Sequence, residues 1–182
     1  MIWFFTPYSF NAKLFDAYNS YMQLAKDDED WVCMSDGDAF FFQSNFGHLI
    51  QDYIDAYPDT GIFTAYANRI GNHHQLLSPR LKEVDSIRYH YKIANSQQMN
   101  CHKQTTIIPS IISGFIMVIK KGTWNRIRDE VKKACEDLQQ LKVDNEISRA
   151  VMNAGLNIRR MDGIYILHYY RMVEGKIKRG IE

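Results

Sequence analysis

The chain is short of several features that would assign it quickly. Only three of its 182 residues are cysteine, Cys33, Cys101 and Cys135. They are odd in number and far apart, which excludes a disulfide framework or a zinc-ligand pattern and fits a reducing compartment. Charge is nearly balanced, with a formal net charge of +1, so no strongly basic face marks a nucleic-acid binder. No apolar run is long enough to span a bilayer. The opening Met1-Ile2-Trp3-Phe4-Phe5 lacks a basic leader and stops at Thr6-Pro7, so it reads as a strand and not as a signal peptide. There is no internal repeat, no low-complexity segment and no Gly-rich phosphate loop. The expectation is one cytoplasmic domain, with 46% hydrophobic residues to build its core.

Apolar patterning alternates between strand and helix periods. Strands are expected at Ile2–Phe5, Trp31–Ser35, Ile62–Tyr66, Phe115–Ile119, Leu156–Arg160 and Ile164–Leu167. Helices are expected at Asn11–Ala25 and Asn45–Ala56, from an N-cap at Thr123 onward with Trp124, Ile127, Val131, Ala134, Leu138 and Leu141 inward, and after Asp144 up to Gly155. This alternation predicts an α/β fold with a mostly parallel central sheet flanked by helices. The polar stretch from Asn68 to Thr106, with a helix around Val84 to Ala94, reads as a long functional excursion or lid. Cys33 and Cys135 read as small core residues, and Phe40-Phe41-Phe42 as core with one ring shaping a pocket. The adjacent His73 and His74 read as loop polarity.

The stretch with most chemistry is Asp36-Gly37-Asp38, which follows the apolar Trp31-Val32-Cys33-Met34. Two carboxylates one residue apart at a strand's carboxyl end can hold Mg²⁺ or Mn²⁺, with substrate oxygens completing the shell. The same tripeptide also suits a plain tight turn. Downstream lie Ser113-Gly114 before an apolar strand, Asp144-Asn145-Glu146, Met161-Asp162-Gly163 and His168-Tyr169-Tyr170-Arg171. By themselves, Asp144 reads equally as a base or a helix cap, and His168 as a satisfied core histidine.

In this order the blocks resemble the nucleotide-sugar-dependent glycosyltransferases of the GT-A fold, similar to family 2, over residues 1–171. Residues 172–182 form a basic tail, in which Lys176, Lys178 and Arg179 offer weak attraction to anionic lipid at the inner face of a membrane. The resemblance implies a GT-A-like nucleotide-diphospho-sugar transferase fold and a Mn²⁺ or Mg²⁺ cofactor. It implies a nucleotide-diphosphate sugar donor and a glycan or lipid-linked glycan acceptor, with no nucleic acid. Asp36 and Asp38 match the metal-binding motif, Asp38 as the closer ligand and Asp36 toward metal or donor ribose. His168 matches the histidine that closes the metal shell. Asp144 matches the base of inverting members, Ser113 and Gly114 a strand start lining the acceptor side, and Thr6 and Pro7 the end of the first strand where the nucleotide lies.

The chain departs from that family in two places. It lacks the second strand and acidic segment that hold the nucleotide base, and Val143 stands where the family has glutamate. A non-catalytic sugar-nucleotide or glycan-binding relative is therefore the alternative. A haloacid-dehalogenase-like phosphatase is the third reading. It fits less well, because no downstream acidic pair follows and Phe40 replaces the usual Thr or Val.

Overall fold

A computed structural model describes residues 1–9, 13–137 and 142–169, together with the backbone of 172–173 and 176–177. The helix start expected at Asn11, the inward Leu138 and Leu141, and Tyr170, Arg171, Lys178 and Arg179 lie outside the described residues. The elements are β1 (Ile2–Phe5), α1 (Leu14–Met22), β2 (Trp31–Ser35), β3 (Ala39–Phe41), α2 (Phe46–Ala56) and β4 (Thr60–Ala67), then α3 (Ile87–Cys101), β5 (Thr105–Ile107), β6 (Ile116–Lys120), α4 (Lys121–Asp137), α5 (Val143–Asn153) and β7 (Asn157–His168). A short hairpin, β8 (Met172–Val173) with β9 (Lys176–Ile177), falls within the basic tail.

The fold is α/β, with one seven-stranded sheet in the order β1-β2-β6-β4-β7-β3 and β5 also pairing β7. The sheet is mixed, which corrects the expectation of a mostly parallel one. Only β1 with β2 and β4 with β7 are parallel, whereas β6 is antiparallel to both β2 and β4, and β3 and β5 are antiparallel to β7. The reason is where β6 begins. Phe115 lies beside the carboxyl end of β2, its carbonyl accepting from Asp36 N at 3.0 Å, so the next strand has to run back down the sheet. A strand covered on both faces is an unbroken apolar run in either direction, and its sequence does not encode polarity.

Helices cover both faces. Strand residues Val32, Met34, Ile62, Met117 and Ile119 pack with Phe15, Tyr18, Trp124, Ile127, Ile147 and Val151 of α1, α4 and α5. The opposite residues Trp31, Cys33, Phe63, Ala65 and Val118 pack with Leu49, Ile50, Tyr53 and Ile54 of α2. The alternation along β2 follows from successive side chains pointing to opposite faces. Cys33 and Cys135 are buried core residues as expected. No helix among the described residues is long and apolar enough to cross a membrane.

Several expected boundaries move. α4 begins at Lys121 instead of being capped by Thr123, because the Lys121 and Gly122 N–H groups are taken by the carbonyls of Asp30 and Asp28 in the acidic turn. The two final strands are one. β4 pairs with Met161 and next with Tyr165, so residues 162–164 between the two expected strands form a bulge within β7. The excursion after Asn68 is substantially ordered. Ser86 caps the 15-residue α3, whose His90 and Ala94 are buried against β7. His90 Nε2 donates to the Val84 carbonyl at 2.8 Å and Nδ1 accepts from Tyr165 Oη at 2.6 Å. Phe41 is partly buried against the core, whereas Phe40 points outward, 49% exposed and edge-on to Tyr169.

Candidate functional site

β1, β2, β4 and β7 all point the same way, and their carboxyl ends meet. β1 leads into Thr6-Pro7, β2 into Asp36-Gly37-Asp38, β4 into Asn68-Arg69, and β7 ends on His168. Ligands of open α/β sheets gather at such ends because the loops there are free of the ladder. The acidic tripeptide is a tight turn between β2 and β3. Ala39 N donates to the Asp36 carbonyl at 3.2 Å, and Tyr169 N donates to the Asp38 carbonyl at 2.9 Å. The second bond ties the turn to the strand end that carries the histidine, and Ala39 sits opposite His168 in the ladder. The turn reading of Asp-Gly-Asp is thus met, and the same turn brings both carboxylates to the strand end that carries His168.

His168 Nε2 lies 3.2 Å from Asp38 Oδ1 and 3.5 Å from Asp36 Oδ2. One ligand atom from each of the three residues falls within 4.8 Å of the others. The ring is buried and stacked on Phe115, with centroids 5.2 Å apart. Its Nδ1 is 2.8 Å from the Arg69 carbonyl. A carbonyl only accepts, so Nδ1 carries a proton and Nε2 faces the two carboxylates, donating to them when the ring is protonated and free to ligate a cation when it is neutral. Metal-ligating histidines are commonly oriented this way, their other N–H given to a backbone carbonyl. Burial pulls the imidazole pKa down, but the Asp36 and Asp38 carboxylates together outweigh it and hold it above its ordinary value. Carboxylate and imidazole donors suit Mn²⁺ well, and Mg²⁺ through the carboxylates.

Beside this cluster is a cavity of about 160 Å³, walled by Pro7, Leu14, Tyr18, Asp36, Gly114, Val143 and Asp144. Asp36 belongs to both the cluster and the cavity. No family model matches the chain, and no curated protein or solved structure matches it either. The arrangement therefore has to be read from its own chemistry.

Asp144 lies in the first turn of α5, whose N-cap is Lys142. It is therefore not the cap that its sequence position offered. Its Oδ2 accepts from Gly114 N and its Oδ1 from Asn145 N, both at 2.9 Å. A helix start favours the ionised form, yet burial wins, and the carboxyl is held above the usual range despite the two N–H donors. Gly114 is needed for the close approach. A methyl group there would come 2.9 Å from Asp144 Cβ.

The other expected residues divide. Pro7 and Gly114 line the cavity, and Thr6 Cγ2 packs 3.5 Å from the position a side chain at Gly37 would take. Ser113 is not among the residues that line the cavity. Its N–H donates to Gln75 Oε1 at 2.8 Å and its carbonyl accepts from Gln75 Nε2 at 2.9 Å. No residue from 68 to 106 lines the cavity. The start of that stretch instead builds the cluster, since Asn68 Oδ1 accepts from His168 N at 2.8 Å and Arg69 supplies the carbonyl for Nδ1. The His73 and His74 rings touch at a tilt of 39°, and the His74 carbonyl accepts from Arg160. Asn68, Arg69, Tyr18 and Leu14 escaped the sequence reading. The one signal for Asn68-Arg69 was their place just past an apolar strand, and for Leu14 and Tyr18 their place in the first expected helix.

Proposed function

We propose that the protein is a metal-dependent glycosyltransferase that moves a sugar from a nucleotide-diphosphate sugar to a hydroxyl acceptor, with inversion, on a compact GT-A-like fold. The observation that carries this reading is the convergence of Asp36, Asp38 and His168 within 4.8 Å, beside a cavity walled by a third carboxylate, Asp144. In this reading Asp36, Asp38 and His168 hold Mn²⁺ or Mg²⁺. When bound, such an ion neutralises charge on the departing diphosphate. Asp144 takes the proton from the acceptor hydroxyl as that oxygen attacks the anomeric carbon. Its raised pKa brings it nearer to neutrality, where a general base works best. Attack from the face opposite the leaving group inverts the configuration. The acceptor class that fits is a glycan or lipid-linked glycan, with peripheral membrane contact through the basic tail.

A binding-only relative is the second reading, and Val143 is the observation that favours it. Its apolar side chain, 2% exposed, forms part of the cavity wall beside the proposed base. One screen tests both readings. Melting curves are recorded with UDP-, GDP-, CMP- and dTDP-sugars, with and without Mn²⁺, and released nucleotide is assayed. A ligand at a hundredfold its Kd adds about 2.7 kcal/mol, so a metal-dependent rise with one nucleotide is the expected result. Turnover accompanying that rise supports the enzyme; a rise without turnover supports the binder. No response to any nucleotide overturns the transferase and leaves, of the second reading, only a binder of glycan alone.

A further inference from the structure

Arg69 touches the cluster with its backbone and leaves it with its side chain. The residue is 6% exposed and lies just past Ala67, the last residue of β4 paired to β7. The sheet ladder therefore does not aim its carbonyl, yet that carbonyl accepts from His168 Nδ1 at 2.8 Å. A buried guanidinium is retained only where its donors are met. Here Nε donates to the Lys82 carbonyl and Nη2 to Asp85 Oδ1, both at 2.8 Å.

The segment that carries both anchors is itself fixed. Lys82 belongs to the 3₁₀ turn Pro79–Glu83, whose Leu81 is buried with Ala94 and Tyr165. The Val84 carbonyl accepts from His90 Nε2, and His90 Nδ1 meets Tyr165 Oη. Tyr165 and His168 share β7. A closed circuit therefore runs from His168 through the Arg69 carbonyl and guanidinium to residues 82–85, then through His90 and Tyr165 back to the strand of His168. Asp85 is the open point of that circuit, with its side chain 54% exposed.

We propose that Arg69 is a positioning residue of the cation cluster, and that Asp85, outside the cluster, acts on it through Arg69. The planar fork of the guanidinium spans two acceptors and fixes the side chain, and through it the carbonyl. That carbonyl holds the His168 ring with Nε2 toward Asp36 and Asp38. Partners of this kind govern how tightly a histidine ligates a metal. Loss of the Asp85 contact frees the guanidinium to turn toward another acceptor and to draw the carbonyl with it. The orientation of the ring stands on these contacts alone, and only its consequence for a cation rests on the metal-dependent reading.

Two readouts on the full chain test this. The first needs no metal. The buried His168 Nδ1 proton should give a downfield ¹H–¹⁵N signal in slow exchange with water, and Arg69→Met should lose it. The second is Mn²⁺ affinity by calorimetry, which should fall about 10–100-fold in Arg69→Met, the scale of losses behind a ligating histidine. Asp85→Ala leaves the Lys82 carbonyl in place, so its affinity should fall about twofold to tenfold, the scale of one hydrogen bond, with faster exchange of the same proton. Asp85→Asn keeps an oxygen for Nη2 without the charge, so it should restore most of what Asp85→Ala loses.

Should Arg69→Met not fold, Asp85→Ala decides alone, because its half-exposed side chain is removed without a buried void. An Nδ1 signal unchanged in the folded variants overturns the proposal. So does equal loss in Asp85→Asn and Asp85→Ala, which marks a charge acting on the cation through space and not an anchor. Undiminished Mn²⁺ affinity in every variant defeats the proposal and leaves the metal reading standing. A parent that binds no Mn²⁺, with the Nδ1 signal still lost in Arg69→Met, does the reverse: it overturns the metal reading and establishes the Arg69 anchor.

Discussion

The backbone N–H of Gly114 donates to Asp144 Oδ2 at 2.9 Å, across 30 residues of chain. This bond joins the loop before β6 to the first turn of α5 and holds the third carboxylate at the cavity wall. The loop is fixed in turn. Ser113 is clamped on both its N–H and carbonyl by Gln75, whose Nε2 also donates to Thr64 Oγ1 of β4 at 2.7 Å. The carboxylate is thereby oriented by the sheet itself.

Replacing that carboxylate separates chemistry from binding. Asp144→Asn keeps an oxygen for the Gly114 N–H and alters little volume. Turnover is expected to fall by about 10²–10⁴, the scale of general-base loss, while Mn²⁺-dependent nucleotide binding persists. In the parent, the acidic limb of the pH–rate profile should sit above the ordinary carboxylate range, because Asp144's pKa is raised. Transfer at the parental rate by the variant removes Asp144 from the mechanism.

Asp38→Asn tests the cluster. It removes the carboxylate nearest His168 Nε2 without touching the Tyr169 N bond to the residue 38 carbonyl. Mn²⁺-dependent stabilisation by nucleotide should disappear while far-UV circular dichroism stays unchanged. Retained Mn²⁺ dependence, read by calorimetry, rules out this cluster as the metal site.

His168 gives a signed pH dependence in metal-free protein. Its folded pKa is raised by Asp36 and Asp38 against the opposing effect of burial. The folded state therefore binds the proton more tightly than the unfolded chain. The resulting stabilisation is fully present below the unfolded value and is lost as pH rises through the folded one. His168→Gln should cost more stability below about pH 6 than above about pH 8. Urea unfolding of both proteins across that range measures it, and a cost that is flat or grows with pH contradicts the assignment. Mn²⁺ affinity should run the other way, weakening in acid, because the ion competes with that proton.

Gly163 tests the bulge. Its N–H donates to Tyr53 Oη at 2.9 Å, and an added methyl would come 2.7 Å from that oxygen and 2.9 Å from the Cys101 carbonyl. Gly163→Ala should destabilise the protein by about 1–3 kcal/mol, the usual cost of overpacking, as read from urea midpoints. The nucleotide response of the folded variant should be unchanged. A variant as stable as the parent shows that β7 has room there.

Much of this protein was legible in its sequence, because burial leaves a periodic trace. The apolar residues of α2 repeat at helical spacing, and Leu49, Ile50, Tyr53 and Ile54 are all buried. Trp31–Ser35 and Phe115–Ile119 read as strands because each is built on an uninterrupted apolar run, and the strands observed are Trp31–Ser35 and Ile116–Lys120. The Asp-Gly-Asp turn was evident from residue types alone, as was its place at a strand's carboxyl end.

Strand direction, the Asp162–Ile164 bulge and the extent of α3 were not legible. They depend on which elements lie alongside one another. The same holds within the site. Asp36, Asp38 and His168 approach because Ala39 pairs with His168, a relation across some 130 positions that no local pattern encodes. Residue chemistry determined that carboxylates, an imidazole and a phenol were present. Only the packing of four strand ends, two backbone clamps and helix α1 decided that they share one space, because hydrogen-bond partners and buried neighbours are properties of proximity and not of order along the chain.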